Sequence, residues 1–155
     1  MYKRLLITSI VVSCFCFSCG NGVVFNKIQP IQNKVWDKQA EYFFTFEIND
    51  NSVPYNVFLQ LRNNDTYPYR NLWLFCGEQF GDSSIAVTDT IECMLADDFG
   101  KWKGNGITLF QSQFLLKNEY RFPETGQYTI SVRQGMRDDK LKGIENIGLF
   151  IEIAR

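Results

Sequence analysis

Apolar and polar side chains alternate with a period of two along most of the chain, which is typical of β-strands that bury one face. The alternation is clearest at residues 55–62, where Asn56, Gln60 and Arg62 separate the apolar positions. The other segments that we predict as strands on this pattern are residues 23–29, 42–48, 72–76, 89–95, 107–122, 128–132 and 147–153. Within residues 107–122 the alternation changes phase near Gln111-Ser112-Gln113, so that the side chains expected to point inward switch from one set of positions to the other. This change predicts a bulge or two broken strands.

The segments between these strands are polar or rich in turn-forming residues, including 49–51, 63–69, 77–84 and 123–126. We predict residues 33–38 to be a link containing Trp36, and residues 137–142 to be a turn or a single helical turn. The stretch 96–106 is predicted to connect two sheets. Since no crossover helix interrupts the strands, the pattern predicts an all-β fold. Its expected form is one antiparallel β-sandwich of jelly-roll type with about eight strands.

The N-terminus has the pattern of an export signal. Lys3 and Arg4 precede an apolar run over residues 5–17, which would reach only ~20 Å as a helix and so fall short of a ~30 Å hydrocarbon core. Residues 1–18 are therefore predicted to be a signal peptide. Residues 19–30 are predicted to form the lipidated N-terminus, tether and first strand, and residues 31–155 the remainder of a single sandwich domain.

The end of this signal resembles a bacterial lipobox, in which a small residue precedes a cysteine that receives lipid. The run Phe17-Ser18-Cys19-Gly20 makes Cys19 the predicted lipidation site, and Val11-Val12-Ser13-Cys14 leaves Cys14 as the alternative. An ordinary secretory signal cut near Ser18 is the third interpretation. Since two or more acyl chains, palmitate among them, anchor a protein stably, the mature protein is expected to be tethered to a membrane.

Composition restricts the chemistry that the chain can perform. It contains no histidine, which rules out Ser-His-Asp and Cys-His catalysis and removes the commonest metal ligand. Its formal charge of -1 comes without a basic stripe, so no nucleic-acid partner is expected. We predict a protein that is not an enzyme, with no catalytic residue, no cofactor, no metal and no small-molecule substrate.

Two cysteines remain in the predicted folded body, on the apolar faces of consecutive strands. A hairpin centred near residues 84–85 would place Cys76 opposite Cys93. In an oxidising envelope a disulfide between them would stabilise the fold by ~3 kcal/mol. The alternative interpretation is two separate buried thiols that pack as small hydrophobic side chains.

Acidic and aromatic residues give two further hypotheses. Asp97-Asp98 offers oxygen ligands for calcium or one acid of a glycosidase pair, but the spacing favours a solvated turn. The second acid of such a pair would be Glu92, Glu119 or Glu124. The aromatic residues that could stack on sugars or contact a protein are Trp36, Trp73, Trp102, Tyr67 and Tyr69. Of these, Trp102 and the run Tyr67-Pro68-Tyr69 are predicted to be exposed and to form a contact surface.

Three groups of motifs together resemble the GldH family of gliding-motility lipoproteins from Bacteroidetes. They are Leu61-Arg62-Asn63-Asn64 with Tyr67-Pro68-Tyr69-Arg70-Asn71-Leu72, then Asp89-Thr90 with Leu95-Ala96-Asp97 and Gly100-Lys101-Trp102-Lys103-Gly104-Asn105-Gly106, and finally Met136-Arg137 with Leu141-Lys142-Gly143-Ile144 and Ile147-Gly148-Leu149. The resemblance covers nearly the whole predicted mature chain. It implies an envelope lipoprotein associated with gliding motility and with other Gld lipoproteins, and it carries no catalytic residues over. Only the lipid-bearing cysteine transfers, onto Cys19.

The expected function is therefore a non-enzymatic structural or accessory component of a cell-envelope assembly. The expected partners are the membrane, through the N-terminal lipid, and other Gld-type envelope proteins, which are expected to contact exposed loops such as residues 67–71 and 99–106. An acidic run after the cysteine would resemble a surface-export signal of Bacteroidetes lipoproteins, and none follows Cys19. The expected location is therefore the outer membrane, facing the periplasm. The alternative function is a lipid-anchored module that binds glycan or peptidoglycan through Trp102 and Tyr69, and a carboxylate hydrolase is the third.

Overall fold

The computed structural model describes residues 22–84 and 86–155. Within those residues the chain forms ten strands and one short 3-10 turn at Gln32–Lys34. The strands are β1 Val23–Pro30, β2 Val35–Asp37, β3 Glu41–Ile48, β4 Tyr55–Asn64, β5 Asn71–Phe80, β6 Ala86–Met94, β7 Leu109–Tyr120, β8 Gly126–Gln134, β9 Lys140–Lys142 and β10 Ile144–Ile153. The predicted signal peptide and both candidate lipidation sites, Cys19 and Cys14, lie outside the described residues.

Eight of the strands form two four-stranded antiparallel sheets. Sheet 1 has the order β1-β10-β4-β7, and sheet 2 has the order β3-β8-β5-β6. Numbered in chain order without β2 and β9, these strands run 1-8-3-6 and 2-7-4-5, which is the strand order of a jelly roll. The predicted antiparallel sandwich is therefore confirmed. The count rises from eight to ten because β2 and β9 pair as a small separate ribbon.

The core lies between the two sheets and follows the alternation in the sequence. Inward side chains such as Leu59 and Leu149 of sheet 1 and Phe44 and Leu74 of sheet 2 have no exposed surface. Burial of each such side chain favours folding by about 2 kcal/mol. The hydrophobic effect across these two faces therefore selects the register that the period of two encodes.

The β2–β9 ribbon corrects two predictions. Trp36, which we predicted in a link, is fully buried in β2, and its Nε1–H donates to the Ala40 carbonyl oxygen at 3.1 Å. The segment predicted as a turn or helical turn contains β9, where Leu141 lies opposite Trp36 and is also buried. Both strands have three residues, which is too short for alternation to reveal them.

The bulge in the longest strand lies elsewhere than predicted. Gln111, Ser112 and Gln113 pair with successive β4 residues without interruption. The register shifts instead where Val57 pairs with Lys117, and again on the way to Tyr55. The alternation of apolar and polar residues is lost at 111–113 because polar side chains occupy both faces of this edge strand. Ser112 is half-buried on the inner face.

The strands run between two distinct ends of the sandwich. The proximal end contains Gly22, the C-terminus of β10 and the connections at 49–54, 81–84 and 121–125. The distal end contains the connections at 31–40, 65–70, 95–108 and 135–139. Since β1 runs through eight residues from the proximal to the distal end, the two ends are separated by roughly 25 Å.

Candidate interaction surface

The loops that the sequence singled out come together at the distal end. We define the distal loop cluster as residues 65–71, 95–108 and 135–139. The backbone carbonyl of Arg70 accepts the N–H groups of Leu95 and Ala96 at 2.7 and 2.9 Å. The Arg70 guanidinium also pairs with the Asp98 carboxylate at 2.7 Å. Residues nearly thirty positions apart in sequence are thus joined into one surface.

Tyr67 is a structural member of this cluster, which corrects its predicted exposure. Only 3% of its surface is exposed, and its hydroxyl donates to the Asn71 carbonyl oxygen at 2.6 Å. Burial raises the pKa of this phenol well above its usual range. The Tyr67 backbone passes where Gly143 lacks a side chain, since a Cβ there would lie 2.3 Å from the Tyr67 nitrogen. Tyr67 therefore fastens the loop to the sandwich.

Trp102 fastens the longer loop in a similar way. It forms an isolated β-bridge with Ala96, and its ring lies 6.4 Å from Tyr67 and 5.8 Å from Phe110. The indole is half-buried against the core. Trp102 was predicted to be exposed but is only partly so, because one face of its indole covers the end of sheet 1.

Tyr69 is accessible, as predicted, with 37% of its surface exposed. Its hydroxyl donates to Asp138 Oδ2 at 2.8 Å, a hydrogen bond that raises the pKa of the phenol. Beside it lies a shallow cavity of about 310 Å³, lined by Tyr69, Asn71, Trp73, Gly135, Met136 and Arg137. Trp73 is exposed to a similar degree. Two aromatic rings, an amide and a guanidinium therefore surround one depression.

The paired carboxylates have structural roles in the turn of the longer loop. Asp97 Oδ1 accepts the N–H groups of Phe99 and Lys101, each at 2.9 Å, and the Asp97 carbonyl accepts the Gly100 N–H at 3.1 Å. Asp98 is paired with Arg70. This geometry matches the solvated turn, which the sequence favoured over a calcium ligand or catalytic acid.

The longer loop presents two large apolar side chains: Phe99, in the loop 99–106 that the sequence predicts to be exposed, and Ile107, which we predicted at the start of a strand. Phe99 is 97% exposed, and Ile107 at the other end of the same loop is 91% exposed. Large apolar side chains with this much exposure are characteristic of contact surfaces when the backbone that carries them is fixed. The available sequence signal was the glycine next to each residue, Gly100 and Gly106, which marks a turn where no core position is available.

A second cavity opens below this loop, between the edges of the two sheets. It has a volume of about 500 Å³ and is lined by Glu92, Met94, Lys103, Gly104, Asn105, Gln111, Ser112, Gln113 and Phe114. Asn105 and Gln111 exchange two backbone hydrogen bonds of 2.9 Å at its rim. The lining is mainly polar, and Glu92 Oε1 accepts a hydrogen bond from Asn71 at 2.5 Å. The cavity separates β6 from β7 where the loop crosses between sheets.

The strand register corrects the predicted disulfide. Cys93 lies opposite Leu72, and Cys76 lies opposite Asp89, because the hairpin turns near residues 81–83 instead of 84–85. The two cysteines are thus offset by four residues, roughly 13 Å along the strands, whereas a disulfide needs Cα atoms within about 7 Å. Both are buried thiols, and burial raises the pKa of each to about 12. The alternative interpretation of two packed thiols fits this arrangement.

The remaining acidic candidates are spread over the molecule. Glu119 lies near the proximal end of β7, and Glu124 lies in the 121–125 connection, far from Asp97 and Asp98. Among residues 22–84 and 86–155, no three acidic or cysteine side chains gather in a way that could hold a metal ion. The same part of the chain contains no helix with the length and apolar character needed to cross a bilayer.

The sequence of the chain is similar to one family model and to the two relatives described here. A family model described as GldH lipoprotein matches residues 23–151, from the start of β1 into β10. The gliding motility lipoprotein GldH of Flavobacterium johnsoniae is 30% identical over 151 residues, which cover 92% of each chain. The gliding motility lipoprotein GldH homolog of Christiangramia forsetii is 29% identical over 143 residues, which cover 87% of this chain and 86% of the relative.

Proposed function

The chain belongs to the GldH lipoprotein family, and on that basis we propose that it is a non-enzymatic, lipid-anchored component of a gliding-motility assembly in the cell envelope. In this proposal the lipid is attached at Cys19 and holds the protein to the outer membrane, facing the periplasm. The distal loop cluster is the surface that contacts other envelope proteins. The jelly roll is the rigid body that connects the two.

One observation carries the proposal: the accessible apolar side chains of the distal cluster lie at the opposite end from Gly22, the first described residue. Phe99 and Ile107 project from a loop fixed by Asp97 and by the Arg70 carbonyl. Gly22 lies at the other end, where its carbonyl oxygen accepts the Ile153 N–H at 2.8 Å. An anchor at one end leaves the other end available to partners.

The proposal for a protein partner also follows from the form of the distal surface. Phe99 and Ile107 protrude instead of lining a depression, so they suit a complementary apolar pocket on a second protein. Asp98, which is paired with Arg70, and Lys101 lie beside Phe99 in the same turn. This is the usual arrangement of an apolar centre with a polar rim.

The test is co-purification from envelopes that produce the tagged, full-length protein. The double variant Phe99→Ser/Ile107→Ser is expected to lose most of the co-purifying envelope protein while keeping the thermal stability of the native chain. Leu115→Ser is the matched control, because Leu115 is 45% exposed on the outer face of β7, away from the distal cluster. Equal recovery from the double variant and the native protein would refute the proposed contact surface.

A second candidate, glycan binding, is favoured by the depression between Tyr69 and Trp73. Aromatic faces beside Asn71 and Arg137 suit stacking and hydrogen bonding to a sugar. Trp73 replaces Trp102 in this hypothesis, because Trp102 is half-buried. The test is retention of the protein on purified peptidoglycan. Loss of this retention in Trp73→Ala, together with unchanged retention in Phe99→Ser/Ile107→Ser, would support this second candidate over the first.

A further inference from the structure

The proximal end carries its own small apolar surface around the first described residue. Val23 is 48% exposed, Val24 is 36% exposed, and Ile153 is 38% exposed. Val23 lies opposite Glu152 in the β1–β10 pair, and the Ile153 Cβ lies 3.7 Å from where a Gly22 Cβ would be. These three side chains therefore surround the point at which the chain enters the sandwich.

The length of chain before Gly22 limits what can cover this surface. Under the proposed function the lipid is on Cys19, and only three residue steps separate Cys19 from Gly22. A fully extended chain covers at most roughly 11 Å in three steps. Gly22 is itself fixed to β10 through its hydrogen bond with Ile153. The proximal end must therefore remain within a short distance of the headgroups.

We propose that the proximal end rests directly on the lipid surface and that the sandwich stands upright on it. Val23, Val24 and Ile153 contact the interfacial region beside the acyl anchor. The strands then point away from the bilayer, and the distal loop cluster is held roughly 25 Å or more from the membrane. This inference rests on the proposed lipidation and adds an orientation that the anchor alone does not determine.

The charges at the proximal end indicate which force maintains the contact. The charged residues in its connections or within one residue of the strand ends there are Glu47, Asp50, Asp82, Glu119, Glu124, Glu152, Arg121 and Arg155. Acids outnumber bases in this set, so anionic headgroups do not attract it as they attract a polybasic segment. The apolar side chains and the anchor provide the contact, and added salt is expected to leave it unchanged.

A flat orientation is the physical competitor. The outer face of sheet 1 carries Phe58 and Phe150, with ring centroids 6.0 Å apart, and Leu115 lies opposite Phe58. The next rows of the same face contain Gln113 and Gln111, which are exposed and whose amides would lose water on a bilayer. Because this face is interrupted by amides, whereas the proximal surface adjoins the anchor, the upright orientation is favoured.

The positions of the native tryptophans make this inference testable. Trp36, Trp73 and Trp102 all lie in the distal half of the sandwich, in β2, at the start of β5 and in the 95–108 loop. The lipidated full-length protein is placed on phosphatidylcholine vesicles that contain lipid with brominated acyl chains. In the upright orientation, native fluorescence is expected to be unchanged by the bromolipid. Val24→Trp is expected to lose emission equivalent to about one tryptophan in four, because tryptophan at this level lies at the interface.

Each outcome separates the orientation from the anchor. Leu115→Trp is the matched variant on the outer face of sheet 1, and it is expected to remain unquenched. If the vesicle-bound Val24→Trp protein is not quenched, or if the vesicle-bound Leu115→Trp protein is quenched, the upright orientation is overturned. Neither result removes the lipid anchor. Native protein that fails to float with the vesicles refutes the lipid anchor itself, and the inference is overturned with it. Val23→Trp repeats the proximal measurement at a second site.

Discussion

The two ends of the jelly roll are closed in different ways. At the proximal end, short connections cover an aromatic cluster in which Phe122 lies within 6 Å of the rings of Phe46, Tyr55, Tyr120 and Tyr128. At the distal end, longer loops are held by backbone hydrogen bonds and expose Phe99. The comparison indicates that aromatic residues stabilise the proximal end from inside, whereas at the distal end some of them remain available for contacts.

The largest expected effect distinguishes a buried from an exposed phenylalanine. Phe122→Ala at the proximal end should lower the free energy of unfolding by about 3–5 kcal/mol, because Phe122 is 1% exposed and a cavity would remain. Phe99→Ala at the distal end should change it by less than about 0.5 kcal/mol. Urea denaturation of both variants measures the difference. Similar losses of unfolding free energy in the two variants would show that Phe122 and Phe99 contribute equally to stability.

The next effect concerns the ion pair that joins the edge strand β7 of sheet 1 to the interior strand β5 of sheet 2. Lys117 of β7 pairs with Glu78 of β5 at 2.9 Å, with both side chains largely buried. Lys117→Met should cost about 2 kcal/mol, because it leaves the Glu78 carboxylate buried without its partner. Urea denaturation at neutral pH measures this cost. The double variant Lys117→Met/Glu78→Leu should recover much of it, and no recovery would contradict the assigned pairing.

The same ion pair predicts a pH dependence. Burial lowers the pKa of Lys117, but Glu78, Tyr120 and Asp89 raise it more, so the net shift is upward. Stability from this group is fully present below the ordinary lysine pKa and is lost as pH rises through the higher folded value. Unfolding measured from neutral pH to above pH 10.5 should show this loss in the native protein and a smaller one in Lys117→Met. Identical pH profiles of stability in the native protein and in Lys117→Met would argue against a raised pKa for Lys117.

A smaller, local effect is expected at the distal end. Tyr67→Phe removes the hydrogen bond to the Asn71 carbonyl and should cost about 1 kcal/mol. Hydrogen exchange should quicken in residues 65–71 and 95–103, and remain unchanged in the proximal connections. Uniform acceleration throughout the protein would mean that Tyr67 supports the whole sandwich instead of this loop pair.

The smallest expected effect concerns the chemical reactivity of the two buried thiols. Because burial raises the pKa of Cys76 and Cys93 to about 12, neither thiol should react appreciably with iodoacetamide in the folded protein at pH 8. Both should react after unfolding in urea without a reductant. Mass spectrometry counts the modified thiols in each condition, and a disulfide that survives unfolding would contradict the observed register.

The fold was predictable from sequence because alternation is a local signal. Each long strand, including the one at 55–62, carries its own period of two, and hydrophobic burial converts that period into a sandwich. The two loops that form the candidate surface were also identifiable, since turn residues and aromatics mark them. The ribbon that contains Trp36 was missed because three residues carry no period.

The exposure of each side chain within the loops was only partly predictable, because it depends on distant residues. Tyr67 is buried where its backbone passes Gly143, far along the chain, which has no side chain to obstruct it. The loop 99–106 was predicted to be exposed, but the nearly complete exposure of Phe99 depends on the turn that Asp97 shapes beneath it. The cysteine pairing failed for a similar reason, since two residues of difference in the turn position offset Cys76 from Cys93.

The central claim is that the anchor and the contact surface occupy opposite ends of one rigid body. The most direct measurement places a photo-activatable amino acid at Phe99 or at Val24 in the lipidated protein and cross-links it in the native envelope. The expected result is adducts with envelope protein from position 99 and adducts with lipid from position 24. Lipid adducts from position 99, or protein adducts from both positions in equal yield, would contradict the claim.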